Sequence, residues 1–133
     1  MNFVTAPVVT DDMSLPWLDW TPAYAGEGSL TFTQTALSFA RYRNVGKVTE
    51  FELGVVGTTG GTTNIYVYIS LPTTPRNDQA NLGSVWILDT NPVGGFAFWS
   101  ESNLKMGVGN YNAANWNLST DRRIYVTGRY EIT

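Results

Sequence analysis

Aromatic and amide side chains are concentrated in one short stretch of the C-terminal half of the chain. These side chains are Tyr111, Asn112, Asn115, Trp116 and Asn117, all within a stretch of seven residues. A flat aromatic ring packs against the apolar face of a sugar, and an amide both donates and accepts hydrogen bonds to sugar hydroxyls. We therefore predict a glycan-binding loop here. The alternative is a polar turn whose Trp116 folds back into the core.

A second polar stretch, residues 73–81, has the composition of a long loop, and loops of this length are often functional. Its Arg76 and Asp78 are included in the predicted ligand-binding set. Asp78 and the neighbouring amides also offer the oxygen ligands that a hard cation prefers. The acidic groups have no regular spacing, however, so a solvated loop is the alternative and no metal site is predicted.

Two carboxylates, Asp89 and Glu101, bracket a predicted hairpin. Carboxyl groups about 5 to 9.5 Å apart can hydrolyse a glycosidic bond. The chain contains no His and no Cys, which removes the commonest general base, the thiol nucleophile and the commonest transition-metal ligands. We therefore predict a protein without catalytic residues and without a cofactor. A small carboxylate-based glycan hydrolase is the alternative.

The charge balance argues against two classes of partner. The net charge is -3, which does not favour nucleic acid, and no apolar run approaches the ~18 residues that would cross a bilayer. Charged residues make up only 14% of the chain, below the ~25% of an average globular protein, while aromatic residues also reach 14%. This composition is typical of protein interfaces. The alternative is that the aromatic residues serve simply as strand formers.

Apolar and polar residues alternate with a period of two along most of the chain, as they do in strands whose side chains point to opposite faces. The clearest case is 64–71, where Val67 and Ile69 point one way while Tyr66 and Tyr68 point the other. Eight strands are predicted in this way, at 29–33, 37–43, 47–56, 64–71, 85–89, 94–100, 103–108 and 122–132. The glycine-rich residues 57–62 are predicted as a turn.

Many short strands without a helical segment favour an all-β fold. We predict an antiparallel β-sandwich or jelly-roll-like module over residues 26–133, preceded by an extended N-terminal arm over residues 1–25. The arm is rich in Pro, which disfavours both helix and central strand.

Four aromatic residues are candidates for an oligomer interface: Trp17 and Trp20 in the arm, and Tyr66 and Tyr68 on one face of a strand. Two Trp side chains in an extended segment must be buried against something, either the base of their own domain or a neighbouring subunit. The tyrosine face could meet a second copy of the chain. Its alternative is the exposed outer surface of a sandwich.

Several phrases of the N-terminal half resemble a module of bacteriophage tail fibre and tail tip proteins. They are Trp20-Thr21-Pro22-Ala23-Tyr24, Gly28-Ser29-Leu30-Thr31-Phe32-Thr33, Ala40-Arg41-Tyr42-Arg43-Asn44-Val45-Gly46-Lys47, Gly57-Thr58-Thr59-Gly60-Gly61-Thr62 and Ser70-Leu71-Pro72. The resemblance covers residues 20–72, and beyond them mainly the closing phrase 128–132. None of these phrases is a catalytic signature, since each matches turn and hairpin chemistry.

The resemblance implies a compact β module, commonly a homotrimer, on a virion appendage. The expected partners are other virion proteins and a host-surface glycan, and the expected location is the virion. The expected function is assembly together with host attachment. A structural or decoration protein of the virion without a ligand of its own is the alternative, because a shared scaffold does not identify a ligand.

Overall fold

The structure, a computed structural model, describes residues 16–76 and 79–132. These residues form nine strands and no helix, and hence no helix that could cross a membrane. The strands are β1 (Leu18–Asp19), β2 (Tyr24–Gly26), β3 (Leu30–Val45), β4 (Val48–Gly61), β5 (Val67–Ile69), β6 (Gly83–Asp89), β7 (Asn91–Ser100), β8 (Lys105–Asn110) and β9 (Arg122–Glu131).

All nine strands belong to one antiparallel sheet, in the order β1-β3-β4-β9-β6-β7-β8-β5-β2. The sheet curls until β2 meets β3. There the rings of Tyr24 and Phe32 lie 5.2 Å apart, and the Tyr24 hydroxyl donates to Gln34 Oε1 at 2.7 Å. The prediction of an all-β, sandwich-like module is confirmed, with the difference that its opposing walls are parts of one continuous sheet.

The core lies inside this curl and follows the alternation in the sequence. In β4, Phe51, Leu53 and Val55 are at most 1% exposed, and they face Ile124 and Val126 of the paired strand β9. Burying side chains of this size stabilises the fold by about 1.5 to 3 kcal/mol each. The inner face of every long strand contributes to the same cluster, so one core supports the whole described chain.

Two predicted boundaries in the first hairpin are wrong. The predicted strands 29–33 and 37–43 form the single strand β3, because two register shifts, at Gln34/Ala36 and at Leu37/Phe39, bulge it without ending it. Most of the predicted turn 57–62 is the continuation of β4. A Cβ at Gly57 would lie 2.5 Å from the Phe32 ring, so this glycine makes room for an aromatic residue rather than for a turn.

Two further elements are shorter or longer than predicted. The predicted strand 64–71 keeps only Val67–Ile69 in the sheet. The predicted connection 90–93 shrinks to Thr90, because β7 already begins at Asn91. Thr90 has φ 71°, which is uncommon for a β-branched residue.

The described part of the predicted arm, residues 16–25, is bound to its own sheet. Trp20 packs edge-on against Phe51 at 6.3 Å and donates from Nε1 to the carbonyl of Ser70 at 3.1 Å. The guanidinium groups of Arg41 and Arg43 lie 5.1 and 4.6 Å from the centre of the Trp17 ring. Of the two predicted alternatives, the structure therefore places both tryptophans on their own domain. Residues 1–15 lie outside the described residues.

Candidate functional site

Strand β8 has glycine at two successive positions of the face that points away from the core. Gly107 lies between Phe98 of β7 and Tyr68 of β5, and Gly109 is paired with Phe96 of β7. A Cβ at Gly107 would come within 2.5 Å of the Phe98 ring, and one at Gly109 within 3.0 Å of the Phe96 ring. The missing side chains thus leave a trough, and the neighbouring rings lie across it.

The rings over this trough form one cluster. Tyr66 is 4.9 Å from Phe98 and 5.9 Å from Phe96, both edge to face, while Phe96 and Phe98 are stacked at 6.2 Å. Tyr68 completes the cluster at 6.3 Å from Tyr66. Edge-to-face pairs are the favoured geometry because the positive edge of one ring meets the negative face of the other. We call these four rings with Gly107 and Gly109 the aromatic–glycine face.

A pocket of about 600 Å³ opens on the aromatic–glycine face. Three of its rings, Tyr66, Phe96 and Phe98, line the pocket and are only partly buried. The remaining lining residues come from the segment before β6 and from the end of β7: Gln79, Ala80, Trp99 and Glu101. This volume lies within the ~300 to 1,000 Å³ of ordinary ligand sites. We call it the aromatic pocket.

Polar groups at the aromatic pocket are few. Of the described residues that line it, only Glu101 carries a charge. The indole Nε1 of Trp99 is buried and has no hydrogen-bond partner among residues 16–76 and 79–132. Burial raises the pKa of the Tyr68 phenol, and the nearby Glu27 carboxylate and Tyr66 add to the rise. The Tyr68 phenol therefore stays neutral at ordinary pH.

The two tyrosines of the predicted interface have different surroundings. Tyr68 is 8% exposed and lies beneath the cluster, so it offers almost no surface to a partner. Tyr66 is partly exposed but lines the aromatic pocket. The prediction that both present one interface face is wrong for Tyr68, because the β5 strand is covered on both sides.

The predicted glycan-binding loop forms a smaller pocket of about 200 Å³ at another place on the sheet. Tyr111, Asn112, Asn115 and Asn117 do line it together. Trp116 does not: it is 0% exposed and donates from Nε1 to the Val108 carbonyl at 3.4 Å. The prediction that Trp116 stacks on a sugar is wrong, and the alternative of a core tryptophan is confirmed.

A buried polar network holds this loop in place. Asp89 and Arg122 form an ion pair of 3.5 Å with side chains 4% and 8% exposed. Asp89 Oδ1 also accepts from the backbone N–H of Asn117 at 3.0 Å, and Asp89 Oδ2 from Asn110 Nδ2 at 3.3 Å. Because these groups are engaged within the chain, the network holds the loop on the sheet without a ligand.

Two other predicted relationships are not formed. Arg76 pairs with Glu131 at the end of β9, whereas Asn117 contacts Arg122 at its start, roughly 30 Å away along the strand. Arg76 therefore does not join the Tyr111 loop. Asp78 lies outside the described residues.

The carboxylates Asp89 and Glu101 are separated in the same way. They flank the ten residues of β7 and so lie roughly 30 Å apart. Asp89 is also neutralised by Arg122. The hydrolase geometry, which needs both carboxyl groups at one bond, is absent for this pair.

The aromatic pocket was missed as a site by the sequence reasoning. A signal for it exists: Phe96-Ala97-Phe98 and Gly107-Val108-Gly109 are two period-two patterns of opposite bulk. When the two segments lie on adjacent strands, the rings of the first pack against the glycines of the second. The signal can be used only once the pairing of β7 with β8 is known.

No protein-family model matches the chain, and neither a curated protein nor a solved structure is significantly similar to it. The residues of the site are therefore the basis for proposing what it binds.

Proposed function

We propose that this chain is a non-catalytic recognition module of a bacteriophage virion appendage, and that it binds a host-surface glycan in the aromatic pocket. One observation carries the binding proposal: the partly exposed rings of Tyr66, Phe96 and Phe98 lie together over glycines, in a pocket large enough for a sugar residue. Sugar rings pack on such surfaces through their C–H groups, and burial of this apolar area supplies the affinity.

The rim of the pocket supports the same ligand class. Gln79 Oε1 has one lone pair left to accept a hydrogen bond, since both N–H groups of Nε2 donate to the carbonyls of Arg76 and Glu131, and the Glu101 carboxylate can also accept from hydroxyl groups. The Gln79 side chain is fixed by the backbone of Glu131: Nε2 donates to the Glu131 carbonyl at 3.0 Å, and Oε1 accepts from the Glu131 N–H at 2.9 Å. A preorganised polar group costs less entropy on binding.

The place on a virion appendage is supported by the resemblance of residues 20–72 to tail fibre and tail tip modules. That resemblance also supports a homotrimer and contacts with other virion proteins. Three copies would present three weak sites together, and the avidity of such an array exceeds the affinity of one site by orders of magnitude. The mass of the protein in solution tests this: a trimer is expected, and a monomer at high concentration would contradict it.

The binding proposal is tested with an array of bacterial surface glycans, probed with the wild-type chain and with Tyr66→Ala. We expect binding that Tyr66→Ala reduces at least tenfold, a loss of about 1.4 kcal/mol. Trp86→Ala is the matched control, because Trp86 is another outward-facing aromatic residue, 40% exposed, that does not line the pocket. Its binding should equal that of the wild type.

Two outcomes would contradict the proposal. Absence of any glycan binding by the oligomer favours the alternative, a structural or decoration protein without a ligand. Release of reducing ends from a bound polysaccharide would show catalysis. Circular dichroism of each variant verifies that a loss of binding is not a loss of fold.

A further inference from the structure

We infer that the group bound in the aromatic pocket carries a positive charge, as an alkylated ammonium substituent of the glycan would. This inference rests on the proposed function, since it specifies the ligand of the same pocket. It comes from the combination of ring geometry and charge at the pocket, two features that a neutral sugar does not require together.

The rings are arranged so that more than one can face the same group. Tyr66 is inclined by 71° to Phe98 and by 83° to Phe96. The pocket is therefore lined by the stacked rings of Phe96 and Phe98, inclined by 26° to each other, and by Tyr66 in a different plane. A cation is attracted to the negative face of each ring within about 6 Å, and several rings around it add their contributions.

The charge of the pocket points to the same ligand. Glu101 is the charged residue among its described lining residues. Two cationic side chains lie in the neighbouring segments without lining the pocket: Arg76 is paired with Glu131 at 3.0 Å, and Lys105 lies on β8 opposite Ser100, two positions from Gly107. The charged group that the described lining contributes is thus an acid, which attracts a cation and repels an acidic sugar.

An alkylated ammonium group fits this environment better than a primary ammonium group. Methyl groups give it an apolar surface and weak hydration, so its transfer into an aromatic pocket costs little. A primary ammonium group would instead need three hydrogen-bond acceptors. Most of the described lining comes from Ala80, Phe96, Phe98 and Trp99, whose side chains offer no acceptor.

The test compares two small probes that differ in charge alone: choline, and its neutral isostere 3,3-dimethylbutan-1-ol. Binding of each to the full chain is measured by calorimetry or by chemical-shift titration. We expect choline to bind roughly tenfold more tightly than the isostere. Glu101→Gln should lower the choline affinity about fivefold and leave the isostere unchanged, with a weaker salt dependence.

Asp121→Asn is the matched control. It removes one negative charge from an exposed residue that is paired with Arg123, and Asn tolerates the φ of 56° at this position. Choline binding should not change in this variant. Equal affinities for the two probes, or the same loss in Asp121→Asn as in Glu101→Gln, would overturn the inference.

These experiments also distinguish a failure of this inference from a failure of the proposed function. If neither probe binds while neutral glycans bind and depend on Tyr66, the inference is overturned and the proposed function stands. If choline binds through Tyr66 but no glycan of the array does, the charge inference stands and the glycan proposal fails. Vesicles of phosphatidylcholine are a further arm, since binding to them alone would assign the group to a lipid and overturn its placement on a glycan.

Discussion

The ring of Phe98 covers Gly107 on the neighbouring strand, and two of its carbons lie 2.5 Å from the position that a Cβ of Gly107 would occupy. The Phe98 ring also packs on Tyr66 at 4.9 Å. Glycine at position 107 therefore sets where the Phe98 ring lies, and through it the shape of the aromatic pocket.

Gly107→Ala should displace the Phe98 ring and weaken both the fold and the pocket. Overpacking of this kind costs typically 1 to 3 kcal/mol, so we expect a loss of about 1 to 2 kcal/mol in the free energy of unfolding. Gly94→Ala is the control, because a Cβ at Gly94 has no atom within 4 Å. Urea unfolding measures both, and equal stabilities of the two variants would mean that Phe98 does not depend on the glycine.

Trp116→Ala should destabilise the fold rather than remove a binding residue selectively. The side chain is 0% exposed, and its removal leaves a large cavity, which costs about 3 to 5 kcal/mol. Tyr111→Ala, in the same loop but 70% exposed, should change stability by less than about 0.5 kcal/mol. Thermal unfolding followed by circular dichroism distinguishes the two, and a native melting temperature for Trp116→Ala would place this side chain at the surface.

Arg122→Met should be costly because it leaves the buried carboxylate of Asp89 without its cation. Breaking a buried ion pair from one side typically costs 3 to 5 kcal/mol; since Asp89 keeps its hydrogen bonds, we expect about 3 kcal/mol. Arg76→Met removes an exposed pair with Glu131 and should cost at most about 1 kcal/mol. Chemical denaturation of both variants is the measurement, and similar losses would indicate that Asp89 is solvated.

Alkaline pH should unfold the protein partly through Tyr24. Burial raises the pKa of the Tyr24 phenol from its usual 10.0 to about 12. A folded-state pKa above the unfolded value means that the neutral form is favoured on folding, so its contribution is complete below pH 10 and is lost as the pH rises towards 12. Burial also raises the pKa of Tyr68 and of Tyr130, which contribute in the same direction.

Tyr24→Phe tests this contribution. It removes the hydrogen bond to Gln34, which should cost about 1 kcal/mol at neutral pH. Above pH 10 the stability of the variant should fall less steeply than that of the wild type. Unfolding at a series of pH values gives both slopes. Parallel slopes would assign the alkaline transition to the other tyrosines.

Local patterns predicted the strands that are long and regular. The predicted strand 47–56 lies within β4 apart from its first residue, and its alternating residues Phe51, Leu53 and Val55 form the buried face. The gap between the predicted strands 37–43 and 47–56 contains the tight turn between β3 and β4, where Gly46 adopts φ 60°. The predicted strand boundaries were wrong where a glycine makes room for a neighbouring side chain and does not form a turn. Gly57 looks like a turn residue in sequence, but it lies inside a strand because the Phe32 ring needs the space.

The candidate site was less predictable than the fold. Tyr111 and Trp116 are close in sequence and equally aromatic, yet one is 70% exposed and the other 0%. The sequence does not show which of the two is buried, because the burial of Trp116 depends on its contacts with Val108 and other core residues of the folded chain. The same holds for Asp89 and Glu101, whose distance is the length of an intervening strand.

The sequence by itself determined that this protein is built of antiparallel strands with one apolar face, since a period of two acts over a few neighbouring residues. It also removed His and Cys chemistry from any site. The tertiary structure alone decided that Phe96 and Phe98 lie against Gly107 and Gly109, because the pairing of strands joins residues that are distant along the chain. The aromatic pocket is a product of that pairing: its rings remain accessible only because glycines, and not larger residues, lie beneath them.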